Sequence, residues 1–419
     1  MIDKKTLWAR IDAEREEAFQ RGRDLFGSPE MGFREVRTAR EICAWLDRWG
    51  VPYRKDVSLT GVIATLGQGG YHIAVAADMD ALPRRDGQGC IHSCGHSIQV
   101  ANALTVLHAL LPEAQAGTLG GRVSFFFTPA EELTDPDFRN ELIAQGKIRG
   151  RSGKQDMIAR GWFDDVDCVL SCHASGDPGE TFDVDSVLTG FMLKKAVFRG
   201  RPAHSGGAPH LGRNALHGAV LTENAIAFLK DQFAPESCVR INPVISRVGG
   251  GINIIPDEAV LETYVRAADR ETLLQAGERF DGCVRACAQA LELGAEITTD
   301  PGYLPLNQSK TICRAVEENM LAFCGPEAIT RHPLSGASGD VGDLGTLLPT
   351  VQFGFTGVEG VFHSDCFSIA DEERCYLTAA KVLCGTAADL LNRPELQVRN
   401  PNFARDKAEY LAKWLRLQP

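Results

Sequence analysis

Apolar positions along the chain recur with helical spacing in some stretches and form short continuous runs in others. The first segment is helical through about Phe26, where Gly27 can end it. Ser28 to Phe33 reads as a turn. Ala39, Ile42, Cys43, Leu46 and Trp49 then recur at helical spacing, predicting a helix over 35–49 that Gly50 closes. Short strands are expected around Tyr53 and over 61–66. Ile73 to Ala77 is apolar and β-permissive, and it stops at Asp78, Asp80 and Pro83, so it predicts a buried strand. A helix rich in Ala and Leu is expected over 98–111. Buried strands follow over 121–127 and 166–171. This alternation predicts an α/β catalytic domain of three layers, helices covering both faces of a mostly parallel sheet.

From about Thr189 the order changes. A strand over 191–199, a helix over 214–230, strands within 237–248 and 259–267, a helix over 270–293 and a closing strand over 295–299 give a β-α-β-β-α-β order. That order predicts a small ferredoxin-like α+β unit. After Pro301 the chain rejoins the first domain, with a helix over 309–323, a strand over 351–354 and a long helix over 372–391. The expected division is 1–188 and 302–419 for the catalytic domain, with 189–301 inserted as a lid and dimerisation domain.

Composition narrows the function classes. A net charge of −11 disfavours nucleic acid or an anionic membrane surface as a general partner. The N-terminal stretch reads as a charged amphipathic helix rather than a signal peptide, and no apolar run approaches the ~20 residues a bilayer requires. Thirteen scattered cysteines without a CxxC pair fit reduced thiols in a cytoplasmic location. Most of them fall in apolar patterns and read as small core residues.

Cys94 is the exception. His92-Ser-Cys-Gly-His96 follows the 73–77 strand, and a thiolate and an imidazole two residues apart can reach one divalent ion. Other strand ends deliver Glu131-Glu132 and His173, and His363 precedes the last helix. One of two adjacent glutamates can bind metal while the other faces substrate and moves a proton. A glutamate pair at a helix start, or a buried thiol beside a histidine, is the plainer alternative for each motif alone.

Together the motifs resemble the dinuclear zinc or manganese amidohydrolases and peptidases of the carboxypeptidase G, aminoacylase and auxin-conjugate hydrolase type. The resemblance runs through Pro29 to Ala39, Ala77-Asp-Met-Asp-Ala-Leu-Pro83, His92 to His96, Phe127-Thr-Pro-Ala-Glu-Glu132, Gly200-Arg-Pro-Ala-His204, Asn214-Ala-Leu, Asn253-Ile-Ile-Pro256 and His363. It implies Cys94, His96, Glu132, His173 and His363 as ligands of one or two divalent ions, Zn or Mn. It implies Glu131 as general base and acid, and Asp80 as an acid that orients a ligand. His204 would stabilise the oxyanion, in many relatives from a neighbouring subunit. Asn253 and Arg266 would hold a substrate carboxylate. A homodimer or higher homo-oligomer is implied as well.

The chain departs from that pattern. Ser97, Ile98 and Gln99 stand where the family commonly has Asp-Gly-His, which removes charge beside the metal. The connection 133–153 is long. Its neighbourhood carries Arg149, Arg151 and Lys154, read as a solvated basic loop, the alternative being a hold on anionic substrate. Ser338-Gly-Asp-Val-Gly-Asp343 is similar to the branch containing aminobenzoyl-glutamate hydrolase. The expected function is hydrolysis of a C–N bond, the amide of an N-acyl or N-aroyl amino acid or a dipeptide-like substrate. Two rivals stand beside it: removal of the amine from an activated aromatic ring, as in nitroanthranilate aminohydrolase, and a non-catalytic binding protein on the same scaffold.

Overall fold

The computed structural model describes residues 2–175 and 181–417. The chain divides into two compact units. One comprises Met1–Ser186, Asn307–Pro333 and Asp343–Pro419; the other comprises Val187–Leu306 and Leu334–Gly342. In chain order the strands of the two main sheets are β1 Tyr53–Val57, β2 Gly61–Gly67, β3 Tyr71–Asp78, β4 Gly121–Thr128, β5 Cys168–Ala174 and β6 Phe182–Val184. They continue as β7 Gly190–Arg199, β8 Arg240–Ile241, β9 Val244–Val248, β10 Glu258–Ala267, β11 Gly294–Pro301, β12 Ile329–Arg331 and β13 Thr350–Phe355.

The first unit is built on an eight-stranded sheet in the order β1-β2-β4-β3-β5-β13-β6-β12. The central strands β4, β3, β5 and β13 are mutually parallel, while β1, β2 and the β13/β6 contact are antiparallel. Every residue of β3 is buried, as expected for a strand covered on both faces. Helix His96–Gln115 is buried over most of its circumference, in keeping with its richness in Ala and Leu. It begins at His96, two residues before the predicted start. Gly95 supplies the turn at φ 86°, and a Cβ there would lie 2.9 Å from that of Ala174. The first predicted helix is two helices, Lys4–Ala13 and Arg15–Gly27, interrupted at Glu14.

The second unit is an antiparallel sheet, β8-β10-β7-β11, with β9 also pairing β10. Helices Ala215–Leu229 and Arg270–Ala290 pack on one face, where Met192, Lys194, Ala196 and Phe198 of β7 are buried. This is the ferredoxin-like arrangement. The unit extends beyond the 189–301 expected for it. Leu334–Ser335 pairs in parallel with Val187–Leu188, Leu306 N donates to Leu188 O, and Thr189 Oγ1 donates to Gly336 O at 3.1 Å. Backbone pairing between short segments far apart in sequence leaves no hydrophobic period to read, so this return was not expected from the sequence.

Candidate metal centre

Parallel strands place their C-terminal ends together, and in open α/β sheets that edge carries the ligand site. Asp78 ends β3 and Asp80 follows it. Glu131 and Glu132 follow β4, and His173 is the penultimate residue of β5. Cys94 lies just before the buried helix that His96 opens, and His363 lies after β13. All eight of these residues belong to the first unit, and six of them, Cys94, His96, Glu131, Glu132, His173 and His363, form the groups that could hold metal.

The geometry gathers them into overlapping groups whose ligand atoms lie within 4.8 Å of one another: Cys94, His96 and His173; Cys94, Glu132 and His363; His96, Glu131 and Glu132. Cys94 Sγ is 3.6 Å from His173 Nε2 and 3.4 Å from His363 Nε2. His363 Nε2 is 3.3 Å from Glu132 Oε1, and His96 Nε2 is 3.8 Å from Glu131 Oε2.

Surrounding groups orient these donors. His96 Nδ1 lies 3.0 Å from both the backbone and side-chain oxygens of Asp80, and His173 Nδ1 lies 2.8 Å from Ala174 O. Each Nδ1 therefore holds the proton, leaving the Nε2 lone pair for a cation. The other Asp80 oxygen accepts the Glu132 N–H at 2.9 Å. One buried carboxylate thus fixes a histidine and a glutamate at once. Burial, then the nearby His96, lowers the pKa of His173 to about 4, so its imidazole is neutral at pH 7. Burial, then Glu132, pushes the Cys94 thiol well above its ordinary range. A bound cation reverses that preference, because a coordinating thiol is deprotonated.

These residues fit a divalent ion. His96 Nε2 is buried without a hydrogen-bond partner among the described residues, which costs ~1–3 kcal/mol unless a cation takes the lone pair. Imidazole, thiolate and carboxylate are the donors a zinc- or manganese-like ion accepts. Both groups that share Cys94 are complete despite the substitutions at 97–99. Gln99 is committed elsewhere, its Oε1 accepting the Asp78 N–H at 3.0 Å.

Two residues of this centre are not singled out by sequence reasoning. Glu35 is fully buried, accepting from Ala130 N at 2.8 Å and from Thr60 Oγ1 at 2.5 Å. Ala130 sits at φ 58°, a costly conformation for alanine that aims the following glutamates. Burial, then Asp80, raises the Glu35 pKa to about 8. Arg139 is buried within the long connection. It donates to Thr134 O at 2.7 Å, to Ala130 O at 3.2 Å, and also to Glu132 O and Arg151 O. The connection therefore clamps the backbone that presents Glu131 and Glu132. Lys154 overturns the expectation of a solvated loop. It is buried and ion-paired with Asp78; burial raises that carboxylate's pKa, but Lys154, then His96 and Thr128, hold it below its ordinary range.

The remaining expected residues lie on the second unit. His204 and Asn253 are neighbours, with Ser205 N donating to Asn253 O at 2.9 Å and a bridge between His204 and Ile254. His204 Nδ1 accepts from Gly206 N and Gly207 N at 3.2 and 3.0 Å, so its Nε2 carries the proton as a free donor. Arg266 is not gathered with them. It stands at the opposite end of β10, eight residues from Glu258 and about 26 Å away at strand rise.

Residues 74–389 match the model of peptidase family M20/M25/M40. The chain is 26% identical to the Xaa-Arg dipeptidase of Mus musculus over 94% of this chain and 90% of that protein. It is also 26% identical to the N-acetyl-L-cysteine deacetylase of Bacillus subtilis, over 89% of this chain and 88% of that protein. The fold is similar to that of a dinuclear metal binding peptidase from the M20 family of Bacillus subtilis. The TM-score is 0.72 at 22% identity, covering 91% of this chain and 99% of that one. Among the described residues no helix is long and apolar enough to cross a membrane. The chain belongs to peptidase family M20/M25/M40 and is a metal-dependent hydrolase of C–N bonds.

Proposed function

We propose that the chain hydrolyses the amide of an N-acyl or N-aroyl amino acid with two divalent ions, zinc or manganese, held around Cys94. The observation that carries this reading is the pair of donor groups sharing Cys94, with Glu131 beside them and Asp80 orienting His96. Cys94, His96 and His173 would hold one ion; Cys94, Glu132 and His363 would hold the other. Bound there, a divalent cation supplies Lewis acidity and lowers the pKa of water towards neutrality. Glu131 then takes a proton from the attacking water on a carboxylate oxygen and delivers it to the leaving nitrogen. The family resemblance assigns the developing oxyanion to His204, in many relatives from a neighbouring subunit, and the Nε2 proton of His204 suits a donor.

Elemental analysis of protein purified without chelator should return close to two ions per chain. The same protein should release amino acid from N-benzoyl conjugates and no ammonia from nitroanthranilate. One ion per chain with ammonia release would replace this reading by the aromatic-amine hydrolase, and no uptake of metal would leave a binding protein.

The separation of Asn253 from Arg266 bears on assembly. If both touch one substrate, they come from two copies of the chain. Phe228 is 72% exposed and Val244 of edge strand β9 is 62% exposed, apolar surface suited to self-association. A homodimer of ~90 kDa is expected by light scattering; a species near 45 kDa at micromolar concentration would refute it.

A further inference from the structure

Ala130 stands between the end of β4 and the Glu131-Glu132 pair, and its backbone lies in the left-handed region at φ 58°. Alanine enters that region at a cost, because its Cβ crowds the following carbonyl. Such a conformation persists only where the surroundings impose it. The residue is fully buried, and its methyl packs with Phe33, Leu142 and Ile148 in a small apolar cluster apart from the main core. Both of its backbone polar groups meet buried side chains. The N–H donates to Glu35 Oε1 at 2.8 Å, and the carbonyl accepts from Arg139 Nη1 at 3.2 Å.

Glu35 is itself fixed. Its second carboxyl oxygen accepts from Thr60 Oγ1 at 2.5 Å, and its carbonyl accepts the Ala39 N–H at 2.9 Å where the helix Val36–Arg48 begins. The turn before it runs close against residue 130: a Cβ on Gly32 would lie 2.9 Å from the Ala130 Cα. Glu132 has a further hold, the bond from its N–H to Asp80. Release of residue 130 therefore bears more on Glu131, directly after it, than on Glu132.

We infer that Glu35 is a positioning residue for Glu131: by taking the Ala130 N–H it keeps residue 130 left-handed, and so keeps the Glu131 carboxylate aimed at the reacting water. This goes beyond the amide-hydrolase reading and rests on it. Glu35 acts through the backbone and carries no proton of the reaction. The reach of its side chain matters, not its charge. Gln keeps the reach, since its carbonyl oxygen can accept from Ala130 N while its amide N–H donates to Thr60 Oγ1. Asp keeps the acid but is one methylene shorter, which leaves the buried Ala130 N–H without a partner.

The full chain, loaded with zinc or manganese, tests this in E35Q, E35D and E35D/A130G. With N-benzoyl amino acids as substrates, kcat per metal-loaded molecule should fall about 10- to 100-fold in E35D, the scale on which a displacement of about 1 Å acts. KM should stay within about twofold and the metal content should match the wild type. E35Q should stay within about threefold of the wild-type kcat. Glycine takes positive φ at little cost, so A130G in the E35D background should recover at least about fivefold. A role for the charge gives the opposite order, E35D above E35Q, and a role in folding alone leaves kcat per folded molecule unchanged. Either result, or E35D without recovery by A130G, overturns the proposal. Hydrogen exchange followed by mass spectrometry gives a readout free of turnover: the 128–134 stretch should exchange at least about tenfold faster in E35D than in the wild type or E35Q. Unchanged exchange in E35D overturns the hold on residue 130. Faster exchange in E35D, with no conjugate hydrolysed by the wild type, would refute the amide reading and leave that hold standing.

Discussion

Replacing Glu131 by Gln is expected to lower kcat by about a thousandfold while leaving the bound metal unchanged, the size of effect that general acid–base catalysis supplies. The amide keeps the shape of the side chain but cannot accept a proton from water or return it to nitrogen. The geometry also offers a competing role, because Glu131 groups with His96 and Glu132 as a three-donor set. The two roles separate cleanly in one variant. If Glu131 is the proton carrier, E131Q binds its full complement of metal, since Cys94, His96, Glu132, His173 and His363 all remain. If Glu131 is a ligand, metal is lost along with turnover. KM should change little in the first case, because the side chain acts on the reacting atoms rather than on the substrate's recognition groups. Elemental analysis and steady-state kinetics on the same preparation decide the matter, and activity within tenfold of wild type would remove Glu131 from the mechanism.

The donors of this centre are legible in the sequence because a parallel sheet converts strand ends into neighbours. Cys94-Gly-His96 and Glu131-Glu132 are short motifs directly after buried runs, and the alternation of strand and helix implies that those ends converge. His173 and His363 stand alone in sequence, and only the order of the surrounding motifs marks them. What holds the donors in place is not legible. Glu35 and Arg139 act on backbone N–H and C=O groups of the 130–134 turn, and the bare sequence assigns no partner to a backbone group. The same limit hides the return of Leu334–Gly342 to the second unit, which rests on a two-residue ladder. Asn253 and Arg266 show the converse. The resemblance implies that both hold a substrate carboxylate, yet the extended strand from Glu258 to Arg266 places them at opposite ends of the unit.

Lys154 shows how far burial can change what a charge means, and its removal is the second large effect expected. In sequence it belongs to a run of basic residues; in the structure it is buried against Asp78, whose backbone N–H is held by Gln99 and whose carboxylate also accepts from Thr128. Substituting Lys154 by Met leaves that carboxylate charged and buried without its cation, which costs about 3–5 kcal/mol at neutral pH. The pH dependence gives a second, independent signature. In the wild type the folded pKa of Asp78 is depressed, so its contribution to stability is complete above the unfolded value near 3.8 and is lost as pH falls through the folded value. In K154M burial loses its largest opponent, leaving only His96 and the Thr128 hydrogen bond against it, so the Asp78 pKa rises relative to wild type and the variant regains stability on acidification as Asp78 takes up a proton. The gap between the two denaturation midpoints should therefore be widest at pH 7–8 and narrow towards pH 5. Adding D78N to K154M removes the stranded charge and should recover most of the loss. A K154M midpoint within about 1 kcal/mol of wild type at pH 7.5, or a gap that widens on acidification, would mean that the pair does not hold the 148–156 segment to the end of β3.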